Sequence, residues 1–305
     1  MTSDDSRWRF RSLTVVSLLA VAAACLSAAQ PPPTAAFDGA RALEHVRQLV
    51  AMGPRPAGSE AARHTRAYIR RELAAVGLDV EEQPFAAHTP LGVVPMVNVR
   101  TTLGPRPGAR RLVIAGHYDT KLLKDVSFVG ANDGGSSAAF LLELARVLRQ
   151  RSHGVPIEIL FLDGEEAVVG WQGDDNTYGS RHYVEAARKE GTLGQIGALI
   201  LLDMIGDRDL RIKRESQSTP WLTEIIWTRA RALGRAEFVD DSTPILDDHI
   251  PFLNAGVPAV DIIDLEYSHW HLASDTLDKV SADSLKIVAD VLLAALPEIE
   301  ARIRQ

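Results

Sequence analysis

Five short segments of this chain carry residues that could do chemistry. They are His117-Tyr118-Asp119, Asn132-Asp133, Glu165-Glu166, Asp203 with Asp207, and His269-Trp270-His271. Carboxylates and imidazoles are the ligands zinc takes at catalytic sites, commonly three from the protein with one position left open. Two adjacent glutamates can divide the work there, one holding metal while its neighbour moves protons. Singly, each residue has a plainer explanation. A histidine after a strand is often a surface or capping group, and Asp133 before two glycines can simply cap a helix. Chemistry follows only if the fold brings the five segments together.

The elements that must position them are legible as apolar runs. Residues 111–116, 157–163 and 198–203 are nearly continuous in aliphatic side chains, and a fourth run, 257–263, is interrupted by Asp261. Helical patterns lie near 135–151, 179–190 and 220–233, and a last helix is expected over about 281–303. Asp38 and Ser59 have the chemistry of helix N-caps, and Ser59 opens an amphipathic run that stops at Gly77. Uninterrupted apolar strands alternating with helices imply a sheet covered on both faces. The expected fold is α/β, a three-layer αβα sandwich around a mixed, mostly parallel sheet. In such sheets ligands bind at the carboxyl ends of the strands, where these polar segments begin.

Of the 305 residues, 46% are hydrophobic and 24% charged, which excludes a disordered or coiled-coil chain. Lys and Arg number 33 against 40 Asp and Glu, and the net charge of −7 argues against a nucleic-acid partner. The single cysteine, Cys25, cannot close an intrachain disulfide. Arg7, Arg9 and Arg11 precede an uncharged stretch ending in small residues, so residues 1–29 read as a secretory signal. A transmembrane anchor is the alternative for the same stretch. Cys25 follows three alanines, as in a lipoprotein box without its usual leucine. Residues 30–37, with three prolines, read as a stiff linker, and 38–305 as one catalytic domain. The protein is expected in the periplasm or outside the cell, touching a membrane only through its N-terminus or a lipid on Cys25.

The segments Gly116-His117-Tyr118-Asp119-Thr120, Asn132-Asp133-Gly134-Gly135, Asp163-Gly164-Glu165-Glu166 and Asp203-Met204-Ile205-Gly206-Asp207, with His271, resemble the zinc aminopeptidase superfamily. That superfamily also contains the glutaminyl-peptide cyclotransferases. Trp171, the run Tyr178-Gly179-Ser180-Arg181-His182, the run Asp247-Asp248-His249-Ile250-Pro251 and the Trp270-His271 pair are similar to the cyclotransferase branch in particular. The resemblance covers nearly all of residues 38–303. It implies one zinc per chain on Asp133, Glu166 and His271. Glu165, Asp203 and Asp248 would serve catalysis, and Trp171 and Trp270 would line the substrate pocket. His117 and Asp119 are assigned either to a second metal or to orienting the first. One departure is visible: Asp261 stands where animal cyclotransferases carry a histidine.

The implied reaction closes an N-terminal glutamine of a peptide or protein into pyroglutamate and releases ammonia. Nucleophile and electrophile belong to one residue, so the enzyme mainly folds the side chain back and handles charge. Asp203 and Asp248, if adjacent, would share a proton, because neighbouring carboxylates resist double ionisation. The alternative is an exported zinc aminopeptidase with a two-metal site, in which Asp133 bridges a second metal held by His117 and Asp203. A binding domain that merely kept the fold is the third reading, and the complete set of ligand types opposes it.

Overall fold

The computed structural model describes Met1, residues 35–104 and residues 108–305. The signal-like leader, Cys25 and the first part of the linker lie outside the described residues. Helix α1 (Gly39–Ala51) begins on Asp38, whose carboxylate accepts the N–H groups of Ala40 and Arg41. Helix α2 (Glu60–Ala75) begins on Ser59, whose hydroxyl accepts from Ala62, and the chain turns away at Gly77 with φ +75°. Phe37, placed in the linker by its sequence position, is buried against Phe140 with ring centroids 4.8 Å apart, so packing begins ahead of Asp38.

A hairpin follows that the apolar runs do not announce, β1 (Glu81–Thr89) and β2 (Gly92–Leu103). The anticipated alternation comes next: β3 (Arg111–His117), α3 (Gly135–Leu148), β4 (Ile157–Leu162), α4 (Tyr178–Lys189) and β5 (Ile196–Asp203). Then come β6 (Ile212–Glu215), α5 (Pro220–Ala232), β7 (Phe238–Thr243), α6 (His249–Asn254), β8 (Ala259–Ile263) and α7 (Ala282–Ile303). Strands β6 and β7 pair with each other in parallel, apart from the main sheet.

The main sheet has the order β1-β2-β4-β3-β5-β8. Its last four strands are parallel, and the β1–β2 hairpin joins antiparallel along β4. Side chains alternate between the two faces with period two. Leu112, Ile114, Ile159, Phe161, Ile200 and Leu202 join the core shared with α1, α2, α3, α5 and α7. Val113, Ala115, Leu160, Leu162, Leu199 and Leu201 pack instead with α4 and α6. Both faces are therefore dry, which is why these strands read as continuous apolar runs. The chain leaves β3 through α3 for β4 on one side, and reaches β5 on the other side through α4 on the opposite face. Strand order reverses at β3, and a crevice opens at its carboxyl end.

Candidate active site

That crevice is where the polar segments meet. His117 ends β3, Glu165 and Glu166 follow β4, Asp203 ends β5, and His271 lies in the loop after β8. Asp133 sits just ahead of α3, whose N-cap, Gly134, takes φ +71°. An added Cβ on Gly134 would meet the Asp119 carbonyl oxygen and come within 2.9 Å of the His117 ring, so only glycine lets the Asp133 loop approach β3.

Two triads form there, and Asp133 belongs to both. In the first, His271 Nε2 lies 3.1 Å from Glu166 Oε1 and 3.4 Å from Asp133 Oδ2. In the second, His117 Nε2 lies 3.1 Å from Asp203 Oδ1 and 3.3 Å from Asp133 Oδ1. Metal bonds of about 2.0–2.1 Å at tetrahedral angles place two donors about 3.3 Å apart. Both triads therefore fit a zinc-sized ion. Asp133 Oδ2 is buried and accepts no hydrogen bond, which suits a metal ligand, while Glu166 Oε2 lies 3.5 Å from Lys121 Nζ.

Asp119 serves a different purpose from a ligand. Its carboxylate accepts the backbone N–H groups of Glu165 at 3.2 Å and Glu166 at 3.4 Å, fixing both glutamates to the end of β3. It also lies 3.5 Å from His117 Nδ1, on the ring edge away from the triad. Burial pulls His117 down, but the carboxylates of Asp203 and Glu165 outweigh it and hold the imidazole well above its ordinary value. Burial raises the Glu165 carboxyl well above the usual range against the opposing pull of His117. Burial and the Asp133 carboxylate likewise raise Glu166, to about 7.

Asp133, Glu165, Glu166, Asp203 and His271 face a cavity of about 350 Å³ walled by Trp171, Ile245, Leu246, Ile263 and Trp270. Pockets that enclose small molecules run from ~300 to ~1,000 Å³, so this one has room for a small molecule or the end of a peptide. Trp270 packs on the His271 ring with centroids 4.4 Å apart, and Phe128 meets the same ring edge-on.

The sequence profile of peptidase family M28 matches residues 98–296. The glutaminyl-peptide cyclotransferase of Drosophila melanogaster is 32% identical over 80% of this chain and 78% of its own length. The chain belongs to peptidase family M28, in its glutaminyl-peptide cyclotransferase branch. A glutaminyl cyclase from an Acidobacteriales bacterium superposes with TM-score 0.83 at 39% identity, covering 88% of this chain and 96% of that one. A leucine aminopeptidase precursor from Bacteroides thetaiotaomicron superposes with TM-score 0.78 at 26% identity, covering 86% and 98%.

Within this M28 frame one sequence assignment needs correction. Asp248 is fully buried at the start of α6, and its Oδ1 accepts from Ser180 Oγ at 2.5 Å. It does not line the cavity. Its neighbour Asp247 does, opposite Glu165 and Asp203, with its carboxyl pushed up to about 6 by burial and by Asp203. The hydrogen bond that would pair Asp248 with Asp203 is replaced by the one to Ser180. Nothing in two consecutive aspartates tells which faces the pocket, because successive side chains at a helix start point in different directions. Asp261 is buried in β8, 3.6 Å from His249 Nδ1.

Proposed function

We propose that this chain is a zinc-dependent glutaminyl-peptide cyclotransferase that converts N-terminal glutamine of peptides or proteins to pyroglutamate with release of ammonia. The observation that carries the reading is Glu165 beside the Asp133–Glu166–His271 triad in one small cavity walled by Trp171 and Trp270. In the reaction the α-amine nitrogen bonds to the side-chain carboxamide carbon, and the bond from that carbon to the amide nitrogen breaks. One proton leaves the amine and one arrives on the departing nitrogen, so the products are the lactam and ammonia. Asp133, Glu166 and His271 would hold the zinc, which when bound would supply positive charge to stabilise the transition state. Glu165 takes the amine proton and returns it to the leaving nitrogen. Asp203 and Asp247 accept hydrogen bonds from the amide nitrogen and hold the folded-back side chain. The two tryptophans keep out water, whose attack would give glutamate instead. Asp119 keeps Glu165 and Glu166 in register through their backbone.

We read the triad with His271 as the single zinc site. His117–Asp133–Asp203 has the same spacing, and this observation favours the second reading, a two-metal aminopeptidase. The leader-like residues 1–29 support export, with lipidation of Cys25 as one form of it. Incubated with the purified protein, a Gln-initiated peptide should lose the mass of one ammonia, while a leucyl chromogenic substrate should stay intact. Release of chromophore without cyclisation would reverse the assignment. Anomalous diffraction with two peaks at the ~3.5 Å spacing of two-metal sites would reverse the metal count.

A further inference from the structure

Asp133 stands in both triads, so the segment that carries it has to be fixed before any metal arrives. Two buried side chains of opposite charge grip that segment. Arg55 lies in the loop before α2 and is wholly buried. Its Nε donates to the Tyr118 carbonyl at 2.7 Å, Nη1 to Val129 at 2.5 Å and Nη2 to Gly130 at 2.7 Å. None of those bonds goes to a carboxylate. Burial disfavours this guanidinium and the nearby carboxylates of Asp275, Asp133 and Asp119 oppose that cost, while its three bonds to carbonyls fix the backbone geometry.

Asp275 grips the next residues from the other side. Its Oδ1 accepts the Asn132 N–H at 2.9 Å and the Tyr267 hydroxyl at 2.6 Å, and its Oδ2 accepts the Asp133 N–H at 3.1 Å. Asp275 is four residues beyond His271, which is held at φ +54°, a backbone region that costs a non-glycine residue energy. One carboxylate therefore ties the loop of one triad member to the loop of another. Gly130 completes the grip at φ +49°, where a Cβ would strike the Asp133 carbonyl.

We propose that Arg55 and Asp275 are positioning residues that set the Asp133 loop against the His271 loop and so preform the metal site. This rests on the reading that Asp133 and His271 hold zinc, and not on which reaction the site performs. The test is zinc affinity of the full chain by chelator competition, with the visible spectrum of the cobalt-substituted protein as a report on ligand geometry. Asp275→Asn preserves shape but presents an amide donor to one of the loop's amides. It should weaken zinc binding by roughly 10–100-fold, the range seen when partners behind metal ligands are removed, and shift the cobalt spectrum. Arg55→Lys should do the same, because one ammonium cannot reproduce three directed bonds. Tyr267→Phe, which leaves the carboxylate in place, should give a smaller loss in the same direction.

Folded Asp275→Asn with wild-type zinc affinity and an unshifted cobalt spectrum would overturn the proposal. If Asp275→Asn does not fold, unchanged affinity and spectrum in Tyr267→Phe overturn it equally. A wild-type chain that fails to bind zinc would overturn the zinc reading instead, so the two failures are distinguishable.

Discussion

Replacing Glu165 by glutamine separates proton transfer from everything else the residue does. The backbone of Glu165 is anchored independently of its side chain. Its N–H donates to Asp119, and its carbonyl accepts from Thr177 at 2.8 Å. The cationic group nearest its carboxylate is His117 Nδ1 at 3.8 Å, too far for a hydrogen bond whose loss would matter to folding. Gln keeps the volume and removes the proton acceptor. A positioned acid–base group contributes ~10²–10⁴ in rate, so turnover should fall by that factor. At about 1.36 kcal/mol per tenfold this is roughly 2.7–5.5 kcal/mol of barrier. The melting temperature should hold or rise, because a neutral amide costs no more to bury than a charge that burial already disfavours. Ammonia release from a Gln-initiated peptide measures the rate, metal analysis the zinc content and calorimetry the stability. Wild-type turnover in Glu165→Gln would remove the residue from the mechanism. Zinc lost in proportion to activity would show that its role is structural.

Asp133→Ala, Glu166→Ala and His271→Ala should each lose zinc and activity together, and full zinc in all three by metal analysis would dismiss the triad. Asp247→Asn should cut turnover by ~10²-fold or more. Asp248→Ala should appear mainly as a stability loss of about 1–3 kcal/mol in denaturant titration, and the opposite ranking would restore Asp248 to the cavity. Burial alone would raise Glu215, but hydrogen bonds from His249, the Gln217 N–H and Ser218 outweigh it and hold the carboxyl down at about 2. Its stabilisation is thus present above the ordinary value of 4.5 and lost as pH falls toward about 2. The stability deficit of Glu215→Gln should shrink over that window, and a deficit independent of pH would refute the charge argument.

The parallel strands were readable because both their faces are dry and each ends abruptly in polar residues, as Ile200-Leu201-Leu202-Asp203 does. The β1–β2 hairpin was not. Pro84 and Pro95 punctuate it, and its register comes from cross-strand pairing, which no local pattern encodes. The short β6, β7 and α6 owe their form to tertiary contacts in the same way. Convergence of Asp133, Glu165, Glu166, Asp203 and His271 followed from topology, since all lie at strand ends or their loops. Asp247 was hidden beside Asp248, because facing depends on backbone turns over one residue. Arg55, between two prolines, reads as a solvated loop cation, and only the packed structure shows it buried.

Asp133 is the corner common to both triads, and this makes them separable in one direction only. Loss of His117 or Asp203 dismantles one triad and leaves the other whole, whereas loss of Asp133 dismantles both. Point substitution at His117 or Asp203 therefore takes apart one triad and spares the other. The scaffold need not move, because each corner comes from a separate strand end. His117 and Asp203 are both present in this chain, so substituting either one asks directly whether the second triad is needed at all.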